Sequence, residues 1–355
     1  MTHRIAVVSV LVAVLLISAL PLAAQSFVLD LPRGSQHATV SQRVGITDIA
    51  INYHRPLVNG RPVWGKLVPY GQVWRAGANE NTTISFSDPV TIEGKPLDRG
   101  TYGLHMIPTA DSWTIIFSKN YTSWGSFTYN DKEDALRVNV KPQAADMHNA
   151  LTYDFDELAP DSTIVTMRWE KLRVPFKVNV NVGEAVQSSL DKQLRGLAQY
   201  TWMGWDDAAT YLHDNKGNLD QALKYANNSI QNEDRFDNEI TKARILRAMG
   251  KNDEAKATEA KGLAKASPLQ VHLFARQLQA DKRQDEAFVI FRDNAKSHPN
   301  EWFVHTGLAR ISSANGDFDS AIKEMKVAQT SAPDQQKSYL DGLVKRLEAK
   351  EDINK

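Results

Sequence analysis

The hydrophobic pattern of this chain changes period once. Over roughly the first half, apolar and polar residues alternate. Ile49, Ile51 and Tyr53 fall on one face of an extended segment, with Asp48, Ala50 and Asn52 on the other. A period of two is that of a half-buried strand. Further strands are expected at 37–44, 82–87, 90–93, 101–107, 113–118, 135–140, 151–156, 163–170 and 173–180. Turn formers punctuate them, as at Glu93-Gly94-Lys95, Asp98-Arg99-Gly100 and Pro108-Thr109-Ala110-Asp111. Many short strands with no helical pattern between them predict an antiparallel β-sandwich, jelly-roll-like.

Beyond Gly183 the pattern becomes a helical repeat. Ala222, Ala255, Ala287 and Ala321 recur at intervals of 33, 32 and 34 residues. Five positions before each stand Gly217, Gly250, Lys282 and Gly316. Twelve before each stand Thr210, Ala243, Ala275 and Ala309. Small residues let paired helices approach, Gly takes the turn, and Pro268, Pro299 and Pro333 break the chain between repeats. These marks resemble the tetratricopeptide repeat over about 199–333. The resemblance is incomplete at the third repeat, where Lys282 replaces the turn Gly, and irregular helices are expected there. An amphipathic segment at 338–348 is expected to cap the stack. The fold class is therefore multidomain β + α: a sandwich followed by an α-helical tetratricopeptide-like solenoid.

Composition sharpens the division. Residues 25–183 hold ten Pro and seventeen of the thirty Phe, Trp and Tyr, whereas 184–355 hold three Pro. At the N terminus, His3 and Arg4 precede an apolar run from Ile5 to Leu20, followed by small residues up to Ala24. Sixteen apolar residues fall short of the roughly 20 a membrane span needs. The pattern is that of a secretory signal peptide cleaved after Ala24. The expected organisation is signal peptide 1–24, sandwich 25–183 and helical repeats with a capping helix 184–355. The mature protein is placed in the periplasm or outside the cell, and does not span a membrane.

Charge and cysteine content exclude several chemistries. Lys+Arg and Asp+Glu both number 42, and the halves are separately near neutral, at 16 basic against 16 acidic and 25 against 26. Neither half has the basic surplus of a nucleic-acid binder. Zero Cys removes disulfides, thiolate metal sites and cysteine nucleophiles. No phosphate loop or Gly-x-Ser-x-Gly elbow is present. No cofactor is called for.

Chemistry concentrates between 54 and 81, a stretch without periodicity that holds four Gly, three Pro, two Trp and three Arg. Long irregular segments inside a compact domain are usually functional. Here the two Trp also suit a structural plug at one end of the sandwich. The candidate ligand-binding residues are Arg55, Trp74, Arg75, Asn79 and Glu80, with His105 on a later strand. Arg offers a planar fork for carboxylate or phosphate, Asn both donor and acceptor, and Glu80 a base or an ion-pair partner. His54, His105 and Glu80 lack the spacing of a metal motif, and no metal site is assigned. Trp64, Trp74, Trp124, Tyr121 and Tyr129 suit either the core or the stacking of a sugar ring.

This segment also carries a resemblance. Tyr53-His54-Arg55-Pro56, Gly60-Arg61, and the run from Trp64-Gly65-Lys66 through Trp74-Arg75-Ala76-Gly77-Ala78-Asn79-Glu80 resemble the signature of a bacterial extracytoplasmic family, domain-of-unknown-function family 2911. Gly100-Thr101-Tyr102-Gly103-Leu104-His105, Trp113-Thr114-Ile115-Ile116-Phe117, Trp124-Gly125-Ser126-Phe127 and Asp134-Ala135-Leu136-Arg137-Val138 fit as well. The resemblance spans about 36–180. It implies an exported β-sandwich, sometimes followed by tetratricopeptide-like repeats, and no catalytic residues.

In the helical half, Tyr211, Arg244, Arg276 and Arg310 stand eleven positions before the marker alanines. By resemblance that position faces the concave groove. Three Arg in register, with Arg247 and His272 nearby, would take an acidic peptide or a free carboxylate. The expected function is an exported cell-envelope binding and scaffolding protein. Its sandwich would take a carbohydrate, another small polar ligand or a packing partner, and its repeats would take protein. The alternative is an enzyme acting on an envelope sugar or polymer, with Glu80, His105 and Arg75 in its site. Glycoside hydrolysis would need a second carboxylate, for which Asp48 and Glu93 are the candidates.

Overall fold

The structure is a computed structural model that describes residues 31–355, and the expected signal peptide lies outside them. The described chain divides after Val182 into two compact units. The first is a pair of antiparallel sheets and the second a stack of helices.

The larger sheet runs β1 (Gln36–Val44), β2 (Thr47–Arg55), β3 (Thr83–Phe86), β6 (Gly100–Pro108), β7 (Trp113–Ser118) and β8 (Asp134–Val140). The smaller has the order β5 (Lys95–Leu97), β4 (Val90–Ile92), β10 (Ser162–Val180) and β9 (Gln143–Asp156). Gly45, at φ 57°, opens the two-residue β1–β2 turn and sets Val44 opposite Thr47. That register runs the length of the hairpin and ends with His37 opposite His54 and Gln36 opposite Arg55.

Three strands depart from expectation. β5 holds Pro96 within three residues, too short to alternate, and its place at the sheet edge tolerates the missing N–H. β10 is one strand rather than two. Its register shifts on either side of Glu170, whose φ is 56°, so a bulge absorbs the expected break. β9 extends back to Gln143 because it pairs with β10, although residues 143–148 bury neither face and so carried no apolar signal.

Both sheets give their inward residues to one core, among them Ile49, Ile51, Leu104, Phe117, Val165 and Phe176. At one end, four indoles fill it. Trp169 stacks on Trp74 at 5.8 Å and meets Trp64 edge-on at 5.6 Å, and Trp64 meets Trp113 at 4.8 Å.

The second unit begins within α1 (Val182–Gln193). The pairs α2 (Trp202–Asp214) with α3 (Leu219–Asn232), α4 (Phe236–Ala248) with α5 (Asn252–Leu263), α6 (Pro268–Ala280) with α7 (Gln284–Ser297), and α8 (Trp302–Ala314) with α9 (Phe318–Ser331) follow. All four marker alanines, and Ala243, Ala275 and Ala309, are fully buried, as close helix pairing requires. α10 (Asp334–Glu348) lays Leu340, Leu343, Val344 and Leu347 on the last pair. Pro268 opens α6 at N1 beside a Ser267 capping box, rather than only ending α5.

The third repeat's helices are regular, contrary to expectation, because Lys282 itself takes the left-handed turn at φ 62°, where Gly250 and Gly316 stand at 79° and 76°. In the first repeat the left-handed residue is Lys216, not Gly217. A side chain in this region costs about 1 kcal/mol or more. Lys282→Gly is expected to stabilise the protein by about 0.5–1 kcal/mol, less than the full strain because Gly loosens the unfolded chain. Urea midpoints of the two proteins measure it, and an unchanged or lower midpoint contradicts it.

Candidate functional site

The 54–81 segment is mostly a plug. Val58, Val63, Val68 and Ala76 are buried, and Trp64 and Trp74 pack on the core. Trp74 exchanges two backbone hydrogen bonds with Met106 and its Nε1 donates to the Gly77 carbonyl at 3.1 Å. Arg55 reaches across to β9, where Nε donates to the Leu151 carbonyl at 2.9 Å and Nη2 to Thr152 at 2.7 Å. Asn79 sits at φ 58° and donates to the Ser35 carbonyl at 3.2 Å. Trp74, Arg55 and Asn79 are thus committed to internal contacts.

The polar residues that remain lie on the outer face of the larger sheet. Strand register brings them together. His37 faces His54 across β1–β2, Asn52 faces Thr83 across β2–β3, and Thr83 faces Gly103 across β3–β6. Continuing those registers by two residues puts His37, His54, Asn81 and His105 in one cross-strand row, followed by Ile116 and Arg137. The His37 and His54 rings meet edge-on at 5.2 Å. A Cβ added to Gly103 would lie 2.9 Å from Asn81 Nδ2, 3.2 Å from His105 Nε2 and 2.6 Å from the Asn120 carbonyl. Gly103 is therefore the gap into which the row and its cover close.

The row has an open end and a covered end. The open end is a cleft of about 510 Å³ lined by Leu31, Arg33, Gln36, His37, His54 and Glu80, with Pro32 and Ser35. Glu80 accepts a short hydrogen bond from Arg33, and its Oε2 lies 3.3 Å from His54 Nε2. That second contact is not aligned as a hydrogen bond, and Oε2 is otherwise buried without a partner. Burial pushes the Glu80 carboxyl up. Hydrogen bonds from Arg33 and its own backbone, with the charges of His54 and Arg33, outweigh this and hold it below the usual range. Burial lowers His54 against the raising effect of Glu80.

At the covered end, the segment 119–133 lies over β6. His105 is 2% exposed and its Nδ1 lies 2.9 Å from Ser126 Oγ, with the Tyr129 ring against it. Burial pulls His105 down to about 4 despite the nearby Asp134 charge. Tyr129 donates to Asp134 at 2.7 Å, and burial together with that bond pushes it up to about 12. The Arg75 guanidinium lies 6.0 Å from the centre of the Phe127 ring and touches the Gly125 backbone position. Its Nε is buried without an acceptor, and burial lowers it. The cover exposes Tyr121, Trp124 and Phe127, the last at 82%.

The candidate residues are therefore divided. Glu80 is in the cleft, His105 and Arg75 are under the cover, and the other three are structural. Among the described residues, none of those lining the cleft with Glu80 is a second carboxylate. Asp48 lies six residues from His54 along β2, roughly 20 Å at strand rise, and Glu93 accepts from the Lys177 backbone at 2.6 Å. Among the described residues no three His, Asp or Glu side chains are placed to hold a metal. The sequence reading missed Arg33, His37, Asn81 and Phe127. The signal for His37 was present in the hairpin: the Gly45-Ile46 turn alone sets it opposite His54.

In the helical half, Tyr211 packs in the first repeat's core and Arg244 pairs with Asp214 at 2.6 Å. Arg247 pairs with Glu259 at 2.7 Å. Arg276 is half-buried and donates to Gln279, and Arg310 is 3% exposed. The three Arg are in register but do not form a free basic stripe, because each is already engaged. No helix among the described residues is long and apolar enough to cross a membrane.

Nothing among curated proteins matches the chain. Residues 35–178, which coincide with the two sheets and stop short of the helices, match the family described as Protein of unknown function (DUF2911).

Proposed function

We propose that the chain is an exported cell-envelope binding protein, with a sandwich that holds a small polar ligand of the sugar class and helical repeats that take a protein partner. The observation that carries this reading is the outer-face cleft. Four polar side chains, Arg33, His37, His54 and Glu80, converge on it from two strands and two loops. A concave site with a few placed polar groups is what a small-molecule site requires. Arg33 lies 5.4 Å over the half-exposed Trp124 ring, so a flat apolar surface stands beside donors and an acceptor. Hydroxyls bonding Glu80 and Arg33, with a ring face against Trp124, is the chemistry of sugar recognition. The helical pairs support the second part, since stacked repeats present extended surfaces to proteins.

The test is a titration of the mature chain with glucose, N-acetylglucosamine and glucuronate, followed by Trp fluorescence. One of the three is expected to saturate the signal, and Glu80→Gln to weaken it at least about tenfold, the effect of one charge-assisted hydrogen bond. If none of them saturates, the sugar reading is wrong. Affinity capture from the native envelope tests the repeats. Retention of every partner after they are removed would overturn their role.

A further inference from the structure

Arg276 and Arg310 occupy one register position on α6 and α8, with His272 one turn before Arg276. Among the described residues neither Arg has a carboxylate partner. Burial and the neighbouring Arg276 pull Arg310 down to about 10, and burial with both guanidinium charges pulls His272 down to about 4. A buried cation ordinarily requires an acid beside it. Arg310 instead meets two neutral oxygens: Nη1 donates to the Ile353 carbonyl at 2.7 Å, and Nη2 to the Tyr339 hydroxyl at 3.2 Å.

The Ile353 carbonyl belongs to the segment that follows α10. After α10 the backbone reverses at Lys350, φ 58°, and residues 351–355 return across α8. Ser313 Oγ donates to Asp352 and accepts from the Ile353 backbone, at 2.9 and 3.0 Å. Asn354 Nδ2 donates to the Arg310 carbonyl at 2.8 Å, and its Oδ1 accepts from Gln279 at 2.7 Å. The Ile353 side chain is 3% exposed among Ala309, Leu343 and Leu347. α6 and α8 thus read backbone and side chains of three consecutive residues, as a peptide site does, while Arg346 of α10 donates to the Asp352 carbonyl at 3.0 Å.

We propose that Asp352-Ile353-Asn354 occupies in cis a peptide-binding site on the repeats, and that the partner is an acidic protein C terminus ending in an aliphatic residue. This rests on the reading of the repeats as a protein-binding module. A chain that ended at the position of Ile353 would place a carboxylate on Arg310 instead of a carbonyl. Arg310 now meets only neutral oxygens, so a carboxylate would add an ion pair to the hydrogen bond it already makes, and neither Arg276 nor Arg310 has a carboxylate partner among the described residues. The resident tail is therefore displaceable, and the repeats are closed until a carboxylate competes.

The test uses a fluorescein-labelled Lys-Lys-Glu-Asp-Ile peptide with a free C terminus, and the same peptide amidated. Both are titrated into the mature full chain and into the chain ending at Lys350. The free peptide is expected to bind the shortened chain at least about tenfold more tightly than the full one, and amidation to cost about tenfold. Arg310→Gln in the shortened chain is expected to abolish binding. Helical ellipticity reports folding. If the shortened chain unfolds, Ile353→Ser in the full-length chain releases the tail instead. Equal binding to both chains, no binding to either, or indifference to amidation overturns the proposal. Failure of the broader reading is distinct: native-envelope capture is then empty for full and shortened chains alike.

Discussion

Trp169→Ala is expected to destabilise the sandwich by about 3–5 kcal/mol, the usual cost of deleting a buried Trp. Trp169 is 1% exposed and contacts both Trp64 and Trp74, the two indoles that fasten the irregular 54–81 segment to the core. The loss should therefore be concentrated locally. Trypsin sites at Lys66 and Arg75 should open well before the helices unfold. Trp169→Phe is expected to cost much less. It keeps the ring contact and removes a buried indole N–H that has no acceptor. Equal tryptic rates for wild type and Trp169→Ala would show that the loop is held by something other than the indole cluster.

The second large effect is on acid stability. His105 and His272 are 2% and 7% exposed, and burial pulls each to about 4. In the unfolded chain a His titrates near 6.5. Below that pH the unfolded state gains protons that the folded state refuses. The stability contributed by each neutral imidazole is thus complete above about pH 6.5 and is lost as pH falls towards 4. The loss is about 3 kcal/mol per group. The environments agree with that sign. His105 faces Ser126, Tyr129, the Asn81 side and a single carboxylate, Asp134, whose raising effect burial exceeds. His272 lies 3.5 Å from Thr306, between the Phe291 and Phe303 rings, with Arg276 and Arg310 adding positive charge. The two lesions sit in different units, so they separate experimentally. Urea unfolding at pH 7 and pH 4, with hydrogen exchange read separately on sandwich and helix peptides, should fall in both signals. His105→Gln should flatten only the first. A sandwich signal with the same acid dependence in His105→Gln and wild type would assign the loss elsewhere.

How much of the site was legible depended on how local its causes were. Alternation identified β2, β6 and β7 because a strand's two faces are written in adjacent residues. The spacing of Ala222, Ala255, Ala287 and Ala321 identified helix pairs because close helix contact needs a small side chain at a fixed recurrence. Alternation sets His105 opposite in phase to Leu104 and Met106, but could not show that this phase is buried there. The segment 119–133 folds over it, and nothing in the strand's own sequence records a cover supplied from elsewhere.

What the sequence determined by itself is the change of period: an alternating half that forms two sheets and a repeating half that forms paired helices. Both follow from repeats of two or about thirty-three residues, within reach of neighbouring positions on one element. Tertiary structure decided which polar residues meet. His37, His54, Asn81 and His105 form one row only because β3 inserts between β2 and β6. Arg310 is buried where residues 351–355 return to it. Such juxtapositions join residues 17 to 43 positions apart, with no periodic signal linking them. Packing alone sets whether an arginine or histidine ends as a solvated side chain or a buried one.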